Sequence, residues 1–462
     1  MTFKLHYIDN QTNEKRYFLY DQHTSSFTDE DGSELFPLDL RKEGSFPEVP
    51  FVDYLNYPEA YAISPETPGK KHNRPKRIKI QLGLGCNYSC SYCLQATQIG
   101  EATKTSTADA NIFLKQLDKW LDPTDLEKIE FWGGEPLLYW HKIKVLAPKL
   151  REKFPNVSFG IVTNGSLLTK EIIDDLKEWG FSISISHDGP GQHIRGPDPF
   201  DEPDMNLLEM IRYIDSKKIS WSFLSVLSSV SYDPSAIIEW FHNRLNKDVL
   251  DRINALPEKQ QAVVWSTYPV PQILNPRCNF EGIVHDYNGD ETSSFTKEQL
   301  DDMGQKLIIA IQKHGSYTWT FSRKIREIVE SLLNHRPSNV LYQNCQMDRD
   351  DQMAVDLLGN VMTCQNVGAK GKHRIGNVML MDKVSLNTSW HWSKREECSS
   401  CPLLQLCKGA CMYQEGDNFV STCNSEFAYN MAFFVFAIKL LTGQEIELVE
   451  GNMIRPKYSY EK

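Results

Sequence analysis

The chain has 462 residues, 40% hydrophobic and 24% charged, ordinary globular proportions that supply a core without a disulfide framework. Its formal net charge of −11 argues against broad nucleic-acid binding through a basic surface. Residues 1–6 lack the basic-then-apolar order of a signal peptide. The most apolar stretch, 431–441, is about half of the roughly 20 residues a bilayer crossing needs. The expectation is a cytoplasmic protein with no membrane partner.

Residues 1–75 read as a strand-rich segment and linker, a candidate peptide-binding region through an exposed strand edge. Positions 3–8 and 16–20 alternate as short strands, Asp31-Gly32 marks a turn, and Pro47, Pro50, Pro58, Pro65 and Pro68 punctuate an extended strap. From 76 to 270, strands are expected at 78–84, 128–132, 159–163, 181–186, 221–227 and 262–268. Helices are expected between them at 112–121, 141–154, 170–179, 205–216 and 235–245. This alternation implies an α/β fold with a parallel sheet, and six such units suggest a partial (β/α)6 barrel. A bridging segment, 271–339, opens loosely around Cys278 and then carries helices near 297–313 and 323–334. Residues 340–430 hold seven of the eleven cysteines with little long periodicity, so order there is expected to need metal. A helix and tail complete 431–462.

The cysteines carry the chemistry. Without a secretion signal, clustered cysteines are metal ligands or catalytic thiols rather than disulfides. Cys86, Cys90 and Cys93 have the spacing C-x3-C-x2-C directly after the first barrel strand. Three thiolates on one loop hold three corners of a cubane and leave one iron open. A zinc loop would want a fourth Cys or His close by, and none is near in sequence.

This motif, with the aromatic Tyr92 before its last cysteine, resembles the signature of the radical S-adenosylmethionine (SAM) superfamily. The resemblance implies a [4Fe–4S] cluster on Cys86, Cys90 and Cys93, SAM on its open iron, and reductive cleavage to a 5′-deoxyadenosyl radical that abstracts a substrate hydrogen. Gly133-Gly134-Glu135-Pro136 matches the family's GGEP motif, with the glycines admitting close backbone approach to SAM and Glu135 accepting from its ammonium. Thr163-Asn164-Gly165 matches a turn after the third strand. Ser186-His187-Asp188-Gly189-Pro190 resembles S-x-D-G-P, which implies a SAM contact at Ser186 and, further on, a fork from Arg195 to the SAM carboxylate.

Cys345, Gly359-x4-Cys364, Cys398-x2-Cys401-x5-Cys407-x3-Cys411 and Cys423 resemble the SPASM domain, which implies two auxiliary iron–sulfur clusters. One would use Cys398, Cys401, Cys407 and Cys423. The other would use Cys345, Cys364 and Cys411, with Cys278 or an open position as the fourth site. A pair of zinc sites is the rival reading. The expected activity is hydrogen abstraction from a ribosomally made precursor peptide, with crosslink formation, supported by a flavodoxin- or ferredoxin-type electron donor. A sulfatase-maturing enzyme is the alternative, and an iron–sulfur electron-transfer or scaffold protein is the alternative of another class. Sulfatase maturases place Asp after the G-x4-C cysteine, whereas Gln365 stands here, an amide that cannot act as a base. No catalytic base is assigned, and the run Asp348, Asp350, Asp351 reads as solvated surface.

Overall fold

The computed structural model describes residues 1–42, 49–266, 273–283, 294–315 and 318–457. The amino-terminal segment forms an antiparallel sheet of β1 (Thr2–Ile8), β2 (Lys15–Asp21) and β3 (Phe27–Thr28), followed by the short α1 (Leu38–Lys42). Its fourth strand comes from the other end of the chain, since β15 (Ile446–Glu450) pairs with β1, Lys4 opposite Glu450. The sheet order is β15-β1-β2-β3, so β15 is an edge strand. β4 (Gly69–Lys70) pairs with β14 (Ser385–Leu386) and ties the strap to the carboxy-terminal third.

The barrel follows its expected alternation closely. Parallel strands β5 (Arg77–Gln81), β6 (Lys128–Trp132), β7 (Ser158–Thr163), β8 (Phe181–Ser186) and β9 (Trp221–Leu227) lie side by side. They alternate with α2 (Thr107–Trp120), α3 (Trp140–Lys153), α4 (Lys170–Glu178), α5 (Leu207–Ser216) and α6 (Pro234–Asn254). One face of the strands is apolar and joins the core, through Ile78, Ile80, Ile129, Phe131, Phe159, Ile161, Ile183 and Phe223. The alternate residues, among them Lys79, Gln81, Glu130, Trp132, Ser184 and Ser186, therefore share the opposite face.

The sixth strand is not where it was expected. Residues 262–266 lie in helix α7 (Glu258–Ser266), because the helix formers from Glu258 to Ala262 carry the chain through the Val263-Val264-Trp265 run. Val263 and Trp265 are exposed, so this run buries no strand face. Parallel pairing to β9 comes instead from β10 (Cys278–Ile283), beyond residue 270, with Phe280 fully buried. Thr267, Tyr268, Pro47 and Pro271 lie outside the described residues.

Helices α8 (Lys297–His314) and α9 (Trp319–Leu333) occupy the expected bridging positions. The cysteine-rich part then continues the barrel sheet. β11 (Gln352–Asp356) runs parallel to β5, and β12 (Asn360–Met362) and β13 (Arg374–Asn377) add antiparallel, giving the order β10-β9-β8-β7-β6-β5-β11-β12-β13. After the short α10 (Glu396–Ser399) and α11 (Leu404–Cys407), α12 runs through Gly416–Thr442, across the expected division at 430 and 431. Among the described residues, no helix is long and apolar enough to cross a membrane.

Candidate iron–sulfur and SAM site

The first cysteine loop leaves the carboxy-terminal end of β5, the strand edge where ligands bind in parallel sheets. Its approach, Gly83–Gly85, is pressed against the turn after β6. Gly134 N–H donates to the Gly83 carbonyl at 3.1 Å, and Glu135 N–H to that of Gly85 at 3.0 Å. A Cβ on Gly134 would meet the carbonyl oxygens of Gly85 at 2.4 Å and Leu84 at 2.5 Å. In this structure the glycine pair therefore admits the chain's own backbone.

Glu135 is buried, and its carboxylate ties its own turn to the turn after β7. It accepts from Leu137 N at 2.9 Å, Thr163 Oγ1 at 2.8 Å and Asn164 N at 2.7 Å. Burial raises its carboxyl pKa, and these three donors oppose the rise. Asn164 Nδ2 donates to Asn87 Oδ1 at 2.9 Å, inside the cysteine loop, while Asn87 Nδ2 donates to Ser166 Oγ at 2.8 Å.

Arg195 packs against the cysteine loop. Its Nη1 donates to the Tyr92 hydroxyl at 2.7 Å and lies 3.5 Å from Asp188 Oδ1, and the Tyr92 hydroxyl donates to Asp188 Oδ2. Val226 N–H donates to Asp188 Oδ1 at 2.9 Å. Nη1 of Arg195 thus joins a buried Tyr92–Asp188–Arg195 network that ties the cysteine loop to β9, while its Nε is buried with no hydrogen-bond partner among the described residues. Ser186 ends β8, directly before this turn.

The cysteines fall into groups by their electrostatic neighbours. Cys86, Cys90 and Cys93 act on one another, faced by Arg195; burial pushes Cys90 up to about 11. Cys364 and Cys411 are neighbours of each other and of Cys345, near Lys79, Lys71 and Arg395. Cys398, Cys401, Cys407 and Cys423 form the third group, faced by Arg395 and Arg455; burial pushes Cys398 and Cys401 up to about 12. All eleven are free thiols. Among the described residues, no three His, Cys, Asp or Glu side chains are set for a single metal ion. A group of four thiols has the donor number of a four-cysteine iron–sulfur cluster, and a group of three is one short of it. Bound iron would offset the burial that makes thiols such as Cys90, Cys398 and Cys401 poor acids. Tyr88 N–H and Asn366 N–H already donate to the sulfurs of Cys86 and Cys364, at 3.4 Å each.

Cys278 does not join them. It starts β10, at the far edge of the nine-stranded sheet from β11–β13. It is buried, its Sγ lies 3.6 Å from the Pro276 carbonyl, and burial alone acts on its thiol. The strand that places it is the one the sequence pattern mislocated.

Sequence reasoning also missed several polar groups. Gln81 Nε2 donates to the carbonyls of Gln365 at 2.8 Å and Val367 at 2.9 Å, and Trp132 Nε1 donates to Asn366 Oδ1 at 2.9 Å. The Cys364 loop is thereby docked over the ends of β5 and β6. Burial pushes Glu130 up, but Lys79 and Lys128 more than reverse this, and its carboxyl sits below the usual range. Asp348 and Asp351 are buried rather than solvated. Gln343 N–H donates to Asp348, and Arg349 forms a two-bond fork to Asp351. Alternation of polar residues along β5 and β6 was the available signal for the lining. The acidic run carried none for burial.

Residues 80–241 match the family model described as the radical SAM superfamily. The radical SAM cyclopropyl synthase TigE of Paramaledivibacter caminithermalis is 23% identical over 357 residues, 73% of this chain and 68% of that protein. Shorter matches span about a third of their relatives' length. GTP 3′,8-cyclase of Helicobacter pylori is 32% identical over 112 residues, 24% of this chain and 34% of that protein. The serine-type anaerobic sulfatase-maturating enzyme of Bacteroides thetaiotaomicron is 26% identical over 125 residues, 25% of this chain and 30% of that protein. Among solved structures, anSMEcpe with bound AdoMet shares the fold with a TM-score of 0.56 at 17% identity, covering 80% of this chain and 98% of that one. Its complex with AdoMet and the Cp18Cys peptide gives 0.54, over 79% and 98%. Residues 80–241 of this chain form a radical SAM domain, and the chain shares the α/β fold of anSMEcpe.

Proposed function

We propose that the chain is a radical SAM/SPASM peptide maturase that abstracts hydrogen from a ribosomally made precursor peptide and forms a side-chain crosslink. The observation that carries this reading is the gathering of ten cysteines into three groups, each faced by arginine or lysine, with the first at the strand ends of the barrel. In it, Cys86, Cys90 and Cys93 hold the SAM-binding [4Fe–4S] cluster, and the other two groups hold auxiliary clusters. When bound, cluster and SAM supply a carbon-centred radical. The protein's residues orient and enclose. Asn87, Asn164 and Tyr92 hold the first cysteine loop, and Gln81 and Trp132 hold the Cys364 loop over the strand ends.

A peptide substrate is supported by the peptide complex of the solved relative and by a surface feature of this chain. A cavity of about 560 Å³ lies between edge strand β15 and α8, floored by α12, with Gly304, Phe427, Met431 and Leu448 among its walls. An extended peptide fits there by strand addition to β15. The sulfatase reading is disfavoured by Gln365, whose amide lies buried after Cys364 where a base is needed.

Reduced, reconstituted enzyme with SAM is expected to lower the mass of a small peptide encoded beside this gene by lost hydrogen, and Cys90→Ala is expected to abolish the change. Conversion of a sulfatase Cys or Ser peptide to formylglycine instead would transfer the assignment to the alternative. Deletion of residues 1–70 is expected to weaken peptide binding, because β15 then loses its partner β1; unchanged affinity would remove this sheet from the account.

A further inference from the structure

Resting on the auxiliary-cluster reading above, we propose that Asp348 is the fourth ligand of the group held by Cys345, Cys364 and Cys411. The structure brings three cysteines together there and leaves Cys278 elsewhere, so the fourth iron needs another donor. Asp348 follows Cys345 by three residues and is 4% exposed. Its carboxylate is the strongest charged neighbour acting on the Cys345 thiol. One oxygen, Oδ2, accepts from Gln343 N at 2.8 Å, while Oδ1 is buried with no hydrogen-bond partner. An orphaned carboxylate oxygen in a buried site is costly unless a cation meets it.

Two further contacts fix the turn that carries this carboxylate beside Cys345. Gln343, which holds Oδ2, sends its own side chain to the Trp390 carbonyl at 2.7 Å and lies against Gly409, two residues before Cys411. Lys71 Nζ donates to the Met347 carbonyl at 2.6 Å and the Arg349 carbonyl at 2.5 Å, clamping the turn that carries Asp348 from both sides. Lys71 and Lys79 are the cations facing Cys345, and they offset the negative charge that three thiolates and a carboxylate bring to a cluster. The competing partner for Oδ1 is water in a cavity of about 310 Å³ lined by Tyr61, Lys70, Tyr342 and Asp350 beside Asp348.

The test uses full-length protein with Cys86, Cys90 and Cys93 all changed to Ala, so that only auxiliary clusters load. Iron and sulfide content, the reduced-state EPR spectrum and the midpoint potentials are compared for Asp348, Asp348→Cys and Asp348→Ala. A ligand role predicts that Asp348→Ala loses one iron per chain. It predicts that Asp348→Cys keeps the full iron content but changes the EPR signal of one cluster and lowers its potential, because thiolate is the stronger donor, while the other cluster is unmoved. Identical iron content, spectra and potentials in all three would overturn the assignment and leave the cluster reading intact. Loss of iron that Asp348→Cys does not restore would also overturn it, since a thiolate replaces a carboxylate ligand but not a purely structural acid. If the background variant binds no iron at all, the auxiliary-cluster reading falls and the inference with it.

Discussion

Replacing Gly134 by Ala tests whether the turn after β6 sets the position of the first cysteine loop. The added Cβ would sit 2.4 Å from the Gly85 carbonyl oxygen, and ordinary contact begins near 3.4 Å. Relief needs a movement of 1.0 Å, the difference of those two distances, in backbone atoms with no rotamer to change. Over-packing of this kind costs about 1–3 kcal/mol. The movement falls on the residue before Cys86, and a misplacement of about 1 Å at a reacting site costs roughly 100-fold in rate. Thermal melting of the loaded protein and the anaerobic rate of 5′-deoxyadenosine formation read the two effects separately. A variant that melts with the parent and retains its rate would refute the close approach as drawn.

Three further outcomes follow from buried polar groups. Arg395→Met removes donors from the carbonyls of Gly409, Cys411, Met412 and Gln414. It should destabilise by at least about 3 kcal/mol, read by denaturant unfolding, and lower auxiliary iron content. Tyr92→Phe removes the hydroxyl joining Asp188 and Arg195 and should cost about 1–3 kcal/mol, seen as a lower melting temperature without loss of secondary structure. His373 is held neutral, its pKa pushed down from 6.5 to about 4 by burial and by Lys372. Between these values the unfolded chain binds the extra proton. Its contribution to stability is therefore complete above about pH 6.5 and falls as pH drops toward 4. His373→Gln should flatten that part of the melting-temperature profile.

The barrel was legible because each strand buries one face and each helix one stripe, and those periods are local properties. The strand at 128–132 and that at 181–186 coincide with β6 and β8 for this reason. The sixth strand was not legible. Val263-Val264-Trp265 has strand-forming composition, yet the helix begun at Glu258 extends through it, while β10 gains its place by pairing with β9. Pairing of β15 with β1 joins residues more than 400 positions apart and leaves no local trace. The grouping of the carboxy-terminal thiols was implied by the resemblance to the SPASM pattern and not by spacing, since Cys411 lies four residues from Cys407 yet neighbours Cys345 and Cys364. The spacings carried nothing about Cys278, whose position depends on a whole strand, or about Asp348, whose burial depends on contacts made by Gln343 and Lys71.

The central claim is that Cys86, Cys90 and Cys93 support reductive SAM cleavage. Its most direct test is anaerobic: protein reconstituted with iron and sulfide, given dithionite, SAM and candidate peptide, is assayed for 5′-deoxyadenosine beside Cys90→Ala. The account predicts formation by the parent and none by the variant. A parent with all its clusters loaded that forms no 5′-deoxyadenosine with or without peptide would contradict it and leave electron transfer or scaffolding as the role of the clusters.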